Sequence, residues 1–420
     1  MTKTAKGVSG ALERDPHRSG IVTEKRVEAK SDSRLAKRFL SLDDFQLYAK
    51  RKLPRQIYEY YAGGAETLQS LQANRSAFRE LSLVTRVLKD VARRSPQTSL
   101  FGIDYQLPVG IAPMGLSGLS TFQGDLVLAQ AARAENIPMI VSATSIMPLE
   151  RLGSEGGARW FQAYLPGELD RIGAMVDRVA KAGFDTFVLT ADVPVPANRE
   201  NNIRTGFSIP MRPSLRLLLD GITHPGWSIR TFLRTLAQGT PRFENMDAFR
   251  GPPLLSKNLV RAIGARDQLN WDHVEFIRQR WKGKFVVKGI LSAQDAIRAR
   301  ELGVDGIIVS NHGGRQLDGA VAPMRVLGEI AAEAGGMTVM IDGGIRRGTD
   351  VVKALAAGAD FVFVGRPFLM AAVQGLPGVR HAIRLLAEEI SRDMALLGVT
   401  TTSEIDDTFL RRDNECSSRS

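Results

Sequence analysis

With 420 residues, 44% of them hydrophobic and 24% charged, the chain has an ordinary globular composition and room for two or three average domains or one large α/β barrel with extensions. No apolar run approaches membrane-spanning length and the N-terminus has no signal-peptide core, while a lone cysteine, Cys416, excludes an intramolecular disulfide and fits a reducing compartment. The net charge of +11 favours anionic partners, but without zinc-finger spacing, an RNA-binding aromatic motif or a basic stripe it points away from nucleic acid, towards anionic lipid, substrate or cofactor.

In chain order, residues 1–40 read as a disordered basic tail, because the first 38 carry ten Lys/Arg against five Asp/Glu and no core-forming pattern. Order is expected from Ser41, an N-cap with acids in the first turn; Pro54 starts a second helix that ends at Gly63-Gly64. Eight short apolar runs follow. They are LPVGIAP from Leu107, PMIVSA from Pro138, RWFQAY from Arg159, TFVLTAD from Thr186, KFVVKG from Lys284, GIIVSNH from Gly306, TVMIDGG from Thr338 and FVFVGR from Phe361.

Segments of helical period lie between most of them. Three such helices end alike, in AGFD, LGVD and AGAD, a glycine cap and an acid before the next strand. Eight strands buried on both faces and alternating with helices predict an α/β fold, a (β/α)8 TIM barrel over 41–405 with an N-terminal helical segment. A doubly wound sheet would carry G-x-G-x-x-G in its first βα turn, and here that turn reads APMGLSG. Strand starts are 21 to 32 residues apart except between Thr186 and Lys284, 98 residues, which predicts a long insertion after strand 4 at about 201–270. Residues 406–420 read as a polar C-terminal tail.

In a barrel, the residues just past each strand meet at one mouth. Here they are Pro113, Met114 and Gly115; Ser142; Gln162 with Tyr164; Thr190 with Asp192; Lys288; Ser310 to Gln316; Asp342, Gly343, Gly344, Ile345 and Arg346; and Gly365 with Arg366. So much hydrogen-bonding chemistry at one rim marks a site. Glycines after strands 7 and 8 let backbone N–H groups approach a phosphate, and Arg346 and Arg366 supply charge-assisted bonds. Lys288 ends an apolar strand, where an unpaired charge is costly; it is either a paired structural lysine or a cation set against a ring that becomes anionic on reduction.

The run SNHGGRQ, Ser310 to Gln316, resembles the active-site signature of the FMN-dependent α-hydroxy acid oxidase and dehydrogenase family. KLPRQIYEYYAGGAE, WFQAY, LTADVP, VVKG, DGGIRRGTDVVKALAAGAD and VGRP fall in family order, so the likeness runs from about Ser41 to Ile405. The resemblance implies non-covalent FMN and oxidation of an L-2-hydroxy acid, lactate- or mandelate-like, to the 2-keto acid. It makes His312 the base and Asp192 its orienting carboxylate. Arg315, Arg199 and Tyr60 then bind the substrate carboxylate, and Tyr164 the hydroxyl. It assigns Pro113 to Gly115, Ser142, Gln162, Thr190, Lys288 and Ser310 to the flavin ring and ribityl region. Asp342 to Arg346, Gly365 and Arg366 take the ribityl and phosphate end, and no metal is implied. Ala197 and Asn202 depart from the family pattern around Arg199. Thr144 stands where glycolate oxidases have a tryptophan, which leaves room for a larger substrate.

The insertion looks most like that of bacterial mandelate and lactate dehydrogenases. Between Ile203 and Arg242 it carries six arginines against Asp220, interleaved with LRLLL, Trp227, Ile229, Phe232 and Leu233. An apolar stripe with arginines suits an anionic bilayer surface; the alternative is a lid packed on its own barrel or a neighbouring subunit. The membrane reading suits a quinone or cytochrome acceptor and a cytoplasmic protein held peripherally at the inner face of the cell membrane. The family also implies a homo-oligomer, a tetramer. Competing readings are an oxygen-dependent oxidase that makes hydrogen peroxide, an FMN-dependent isopentenyl diphosphate isomerase, and a catalytically silent binding barrel.

Overall fold

The computed structural model describes residues 34–208, 215–254, 256 and 266–412. Eight parallel strands form one sheet: β1 (Val109–Ile111), β2 (Ile140–Ser142), β3 (Trp160–Ala163), β4 (Thr186–Thr190), β5 (Lys284–Ile290), β6 (Gly306–Val309), β7 (Thr338–Asp342) and β8 (Phe361–Val364). Each pairs with its neighbour, β8 pairs with β1, and a bridge from Ile111 to Met139 joins β1 to β2, which closes the (β/α)8 barrel. The eight expected runs are the eight strands.

Inside the barrel Ile140, Trp160, Val188, Val286, Ile308, Met340, Phe361 and Phe363 form one buried cluster. Large rings fit because small residues face them. A Cβ on Gly110 would lie 2.5 Å from the Phe363 ring. Outside the barrel, helices including α1 (Gly124–Ala134), α2 (Leu149–Gly156) and α3 (Leu169–Lys181) cover the strands with apolar faces such as Ile172, Met175, Val176 and Val179. The recurring glycine–acid endings have a common cause. Gly183, Gly303 and Gly358 stop their helices with positive φ, and two of the acids then reach to the start of a neighbouring strand. Asp305 accepts from the Phe285 N–H at 2.9 Å and Asp360 from the Val339 N–H at 2.8 Å. Asp185 instead accepts from Arg159 at 2.9 Å.

The expected tails are corrected at both ends. Residues 34–38 form a helical turn, and Phe39 is buried with its ring 4.1 Å from that of Phe45, so the segment 34–40 is not tail; residues 1–33 lie outside the described residues. Residues 406–412 are structured as well: Phe409 is fully buried and Leu410–Arg412 pairs antiparallel with Leu81–Leu83. Net charge hid the first and polarity the second. One fully buried phenylalanine contributes roughly 1.5–3 kcal/mol, enough to fix a short polar strand.

The N-terminal helices begin as the sequence predicts. Ser41 precedes the helix Leu42–Lys52, and Asp44 accepts from its N–H at 2.9 Å; Pro54 precedes Arg55–Ala62, which stops at Gly63. The insertion leaves the barrel after β4 and returns at α4 (Trp271–Arg280). Asn245 pins its second half to the barrel, accepting from the Leu149 N–H and donating to the Met147 carbonyl, each at 2.8 Å.

Candidate active site

The loops past the strands surround a cavity of about 800 Å³. Of the expected residues, Tyr60, Pro113, Met114, Gly115, Tyr164, Thr190, Arg199, Lys288, His312 and Arg315 are in its wall. So are Asp342, Gly343, Gly344, Ile345, Arg346, Gly365 and Arg366. Ser142, Gln162, Asp192 and Ser310 are not part of the wall, and Ser142, Gln162 and Ser310 are buried.

His312 sits where β6 gives way to a left-handed turn. His312, Gly313 and Gly314 have φ of 58°, 65° and 71°, a conformation that is strained for a histidine. Glycine is required at the third position. A Cβ on Gly314 would lie 2.5 Å from the Leu71 nitrogen, so only a bare backbone passes the helix Gln69–Arg79. The imidazole is then fixed from two sides, Nδ1 by the Asp192 carboxylate at 2.9 Å and Nε2 by the Tyr164 hydroxyl at 3.3 Å. A carboxylate only accepts, so Nδ1 carries the proton and Nε2 presents its lone pair to the cavity. Burial pushes the His312 pKa below 6.5, Lys288 and Arg199 push the same way, and Asp192 opposes them; the resting ring is neutral at pH 7. For Asp192, burial alone would raise the pKa, but His312 and Lys288 outweigh it and keep the group ionised.

Lys288 reaches the cavity through an irregularity in β5. The β5–β6 register shifts between Lys288 and Ile290, around Gly289 at φ +106°, where a Cβ would lie 2.6 Å from that of Asp192. The Lys288 ammonium donates to Ser310 Oγ at 2.7 Å and pairs with Asp342 at 3.1 Å. Burial works against its charge, yet Asp342 and Asp192 raise its pKa above the usual 10.5. Ser310 Oγ donates to Asp342 and also accepts from the His312 N–H at 3.0 Å. Its hydrogen-bonding capacity is therefore used inside the protein. The same holds for Ser142, which bonds Gln162 Oε1 at 3.0 Å and Thr144 Oγ1 at 2.9 Å. Both serines, expected against a cofactor, are held by these bonds beside Lys288 and Gln162.

Among the described residues five arginines line the cavity, four of them expected from the sequence. Arg315 Nη1 donates to the carbonyls of Tyr60 at 2.9 Å and Gly63 at 3.0 Å, and Arg366 to those of Tyr61 at 3.0 Å and Gly63 at 2.8 Å. These are last-turn carbonyls of the helix Arg55–Ala62, which have no partner within the helix. The YEYYAGG segment thus anchors two arginines by its backbone. Arg199 lies beside them, its Nε donating to the Arg315 carbonyl at 3.3 Å. Burial first, and then Arg199, press the Arg315 pKa down to about 10; burial and Arg75 do the same to Arg346, also to about 10. Arg366 is lowered well below its ordinary value by burial and by Arg315 and Arg346. Guanidinium keeps its proton inside proteins, so this repulsion is left for bound anions to relieve.

A sequence profile of the FMN-dependent dehydrogenases matches residues 49–412. The chain belongs to the FMN-dependent dehydrogenase family. It is 38% identical over 378 residues to the L-lactate dehydrogenase of Caulobacter sp. (strain K31), covering 89% of this chain and 98% of that protein. It is 37% identical over 381 residues to the (S)-mandelate dehydrogenase of Pseudomonas putida, covering 90% and 95%. Among solved structures, a monotopic membrane protein, (S)-mandelate dehydrogenase, superposes with a TM-score of 0.83 at 36% identity, covering 89% of this chain and all of that one. A mandelate oxidase with benzoyl-formic acid superposes at 0.73 and 34% identity, covering 89% and 98%.

The FMN of this family fits the cavity on observations of the chain itself. Gln162 Nε2 and Thr190 Oγ1 are buried without a hydrogen-bond partner, a costly state that the polar edge of a flavin relieves. Glycines 343 and 344, with positive φ, stand beside Arg346 and give a phosphate backbone access and charge.

Three further residues carried no signal in the sequence. Asn74, on the helix Gln69–Arg79, exchanges two 2.7 Å amide hydrogen bonds with Asn311 and ties the N-terminal segment to the His312 turn. Phe207, from the insertion, stacks on Tyr60 at 4.4 Å. Arg266 lies over the Tyr164 ring at 4.5 Å. A lone polar residue on a predicted helix, or a lone arginine in a long insertion, reads as surface until the fold brings it inward.

Proposed function

We propose that this protein oxidises an L-2-hydroxy acid, lactate- or mandelate-like, to the 2-keto acid and passes the electrons to a quinone- or cytochrome-type acceptor. The observation that carries the reading is the pairing of a neutral, carboxylate-oriented His312 with the cations of Arg315 and Arg199 at one cavity. Arg315 gives Nη1 to three backbone carbonyls and lies against the Tyr60 side chain, so the outer part of its fork can meet a carboxylate beside Tyr60. Arg199 and Tyr60 bind the same group. Tyr164 and His312 hold the substrate hydroxyl, and Nε2 takes a proton from the carbinol while Asp192 stabilises the imidazolium. FMN, when bound, would supply the acceptor for the two electrons and the second hydrogen. Gln162, Thr190 and Lys288 hold its ring, where the ammonium offsets negative charge gained on reduction. Pro113 to Gly115 wall the ring, and Asp342 to Arg346 with Gly365 and Arg366 hold the ribityl and phosphate end. Arg366, bonded beside Arg315, stands between the two anion sites.

Anaerobic mixing with a panel of 2-hydroxy acids tests this. Flavin absorption is expected to bleach with L-lactate or (S)-mandelate, and the released cofactor to have the mass of FMN. In Arg315→Met the substrate concentration for half-maximal reduction rises by roughly 10- to 100-fold, as loss of a charged hydrogen bond predicts. Release of FAD, or no bleaching by any 2-hydroxy acid, refutes the proposal. Reoxidation by oxygen faster than by a quinone analogue moves the protein to the oxidase reading.

The acceptor reading is supported by the insertion. Leu215, Leu218, Leu219 and Ile222 on one helix, and Ile229, Leu233 and Leu236 on the next, are all exposed, with Arg230 and Arg234 exposed among them. One expectation changes: Trp227 is not an outward anchor, because its Nε1 donates to the Leu119 carbonyl at 2.7 Å and fastens the segment to the barrel. Ile209 to Ser214 lie outside the described residues. Among the described residues no helix is long and apolar enough to cross a membrane. We therefore assign this face to a peripheral contact with anionic lipid at the cytoplasmic side. Co-sedimentation with anionic liposomes at low salt is expected, and its loss on replacing Leu218, Leu219, Ile229 and Leu233 by serine. If the intact protein stays in the supernatant, or the variant sediments equally, the segment is a lid.

A further inference from the structure

The cations of the cavity can be matched one by one to anions. Lys288 pairs with Asp342, and in the function proposed above Arg346 and Arg366 take the phosphate and Arg315 and Arg199 the substrate carboxylate. Arg266 is left over. It lies at the end of the long insertion and lines the cavity, and its guanidinium lies 4.5 Å above the Tyr164 ring, whose hydroxyl touches His312. Its guanidinium forms no ion pair and no hydrogen bond with any described residue; its neighbour Asp267, which also lines the cavity, is exposed. The cavity wall includes apolar residues such as Val193, Phe207 and Met246, and burial lowers the Arg266 pKa, so its charge is poorly solvated.

We propose that Arg266 is a second carboxylate subsite, so that the preferred substrate is a 2-hydroxy acid whose side chain ends in another anionic group, a 2-hydroxy dicarboxylate. This rests on the 2-hydroxy acid oxidation proposed above and specifies its substrate. With the first carboxylate held by Arg315 and Arg199 and the carbinol at His312 and Tyr164, the side chain is directed past the Tyr164 ring that Arg266 covers. A distal carboxylate there receives a charge-assisted bond in a dry setting. A neutral side chain leaves the guanidinium desolvated and unpaired, which penalises it. Thr144, small and in the same wall, leaves space for the longer chain.

Binding of product analogues separates this from a structural role. The oxidised holoenzyme is titrated with 2-oxosuccinate and 2-oxoglutarate, and with the neutral-ended 2-oxobutanoate and 2-oxopentanoate, while the flavin absorption is followed. A dicarboxylate is expected to bind at least ~10-fold more tightly than its neutral counterpart. Arg266→Met should weaken the dicarboxylate by roughly 10- to 100-fold and the neutral ligand by less than about threefold, with Arg266→Lys intermediate. An unchanged flavin content and spectrum shows that the variants are folded. Equal binding of both classes by the native protein overturns the proposal, as does an equal loss for both in Arg266→Met, the mark of a cation–π clamp on Tyr164. If no 2-keto acid perturbs the flavin, the 2-hydroxy acid reading falls first and this one with it.

Discussion

Replacing His312 by glutamine is expected to leave FMN bound and slow its reduction by 2-hydroxy acids at least ~100-fold. The structure separates the two properties. The residues proposed to hold the cofactor, Lys288, Arg346 and the unpartnered atoms of Gln162 and Thr190, do not depend on the imidazole. In the proposed reaction proton acceptance depends on Nε2 alone, the ring atom left with a lone pair once Nδ1 donates to Asp192. Glutamine fills the space and can still donate to Asp192, so the turn at φ 58° is kept while the base is lost. Stopped-flow absorbance under anaerobic conditions reads the rate, and near-normal reduction by a good substrate removes His312 from the role of base.

The second large effect is expected at Asp192→Asn, and it has a pH signature. Asp192 is the group that raises the His312 pKa against burial and against Lys288 and Arg199. Without its charge the resting imidazole titrates at still lower pH, so the acidic limb of the pH–rate profile moves down. The imidazolium formed in the reaction also loses its counter-charge, and reduction slows on the order of 100-fold or more at every pH. In the unaltered protein the rate falls as pH drops through a pKa below 6.5, because protonation removes the acceptor. A variant that is slow but keeps the original acidic limb shows that Asp192 positions the ring without tuning it.

Much of this was legible from residues 310–316 and the strand runs. The sequence by itself determined the barrel, because parallel strands buried on both faces must be continuous apolar runs and eight of them alternate with helical periods. It singled out His312 and Arg315 too, through the likeness of Ser310 to Gln316 to the family signature. Tertiary structure decided what depends on distant segments meeting. Ser142 and Ser310 carry the residue type of cofactor ligands, and only the fold shows that their hydroxyls also bond Gln162 and Lys288. Trp227 looks like a membrane anchor within its own segment, and only the position of the Leu119 carbonyl turns it inward. Phe409 sits in a polar stretch whose burial depends on a strand more than 300 residues earlier. Arg266 is one arginine among many until the insertion returns it to Tyr164. Local periodicity and motif spacing record what a segment needs from its own neighbours in the chain. Which polar atoms are satisfied, and which charges stay unpaired, is set by contacts between segments far apart in sequence.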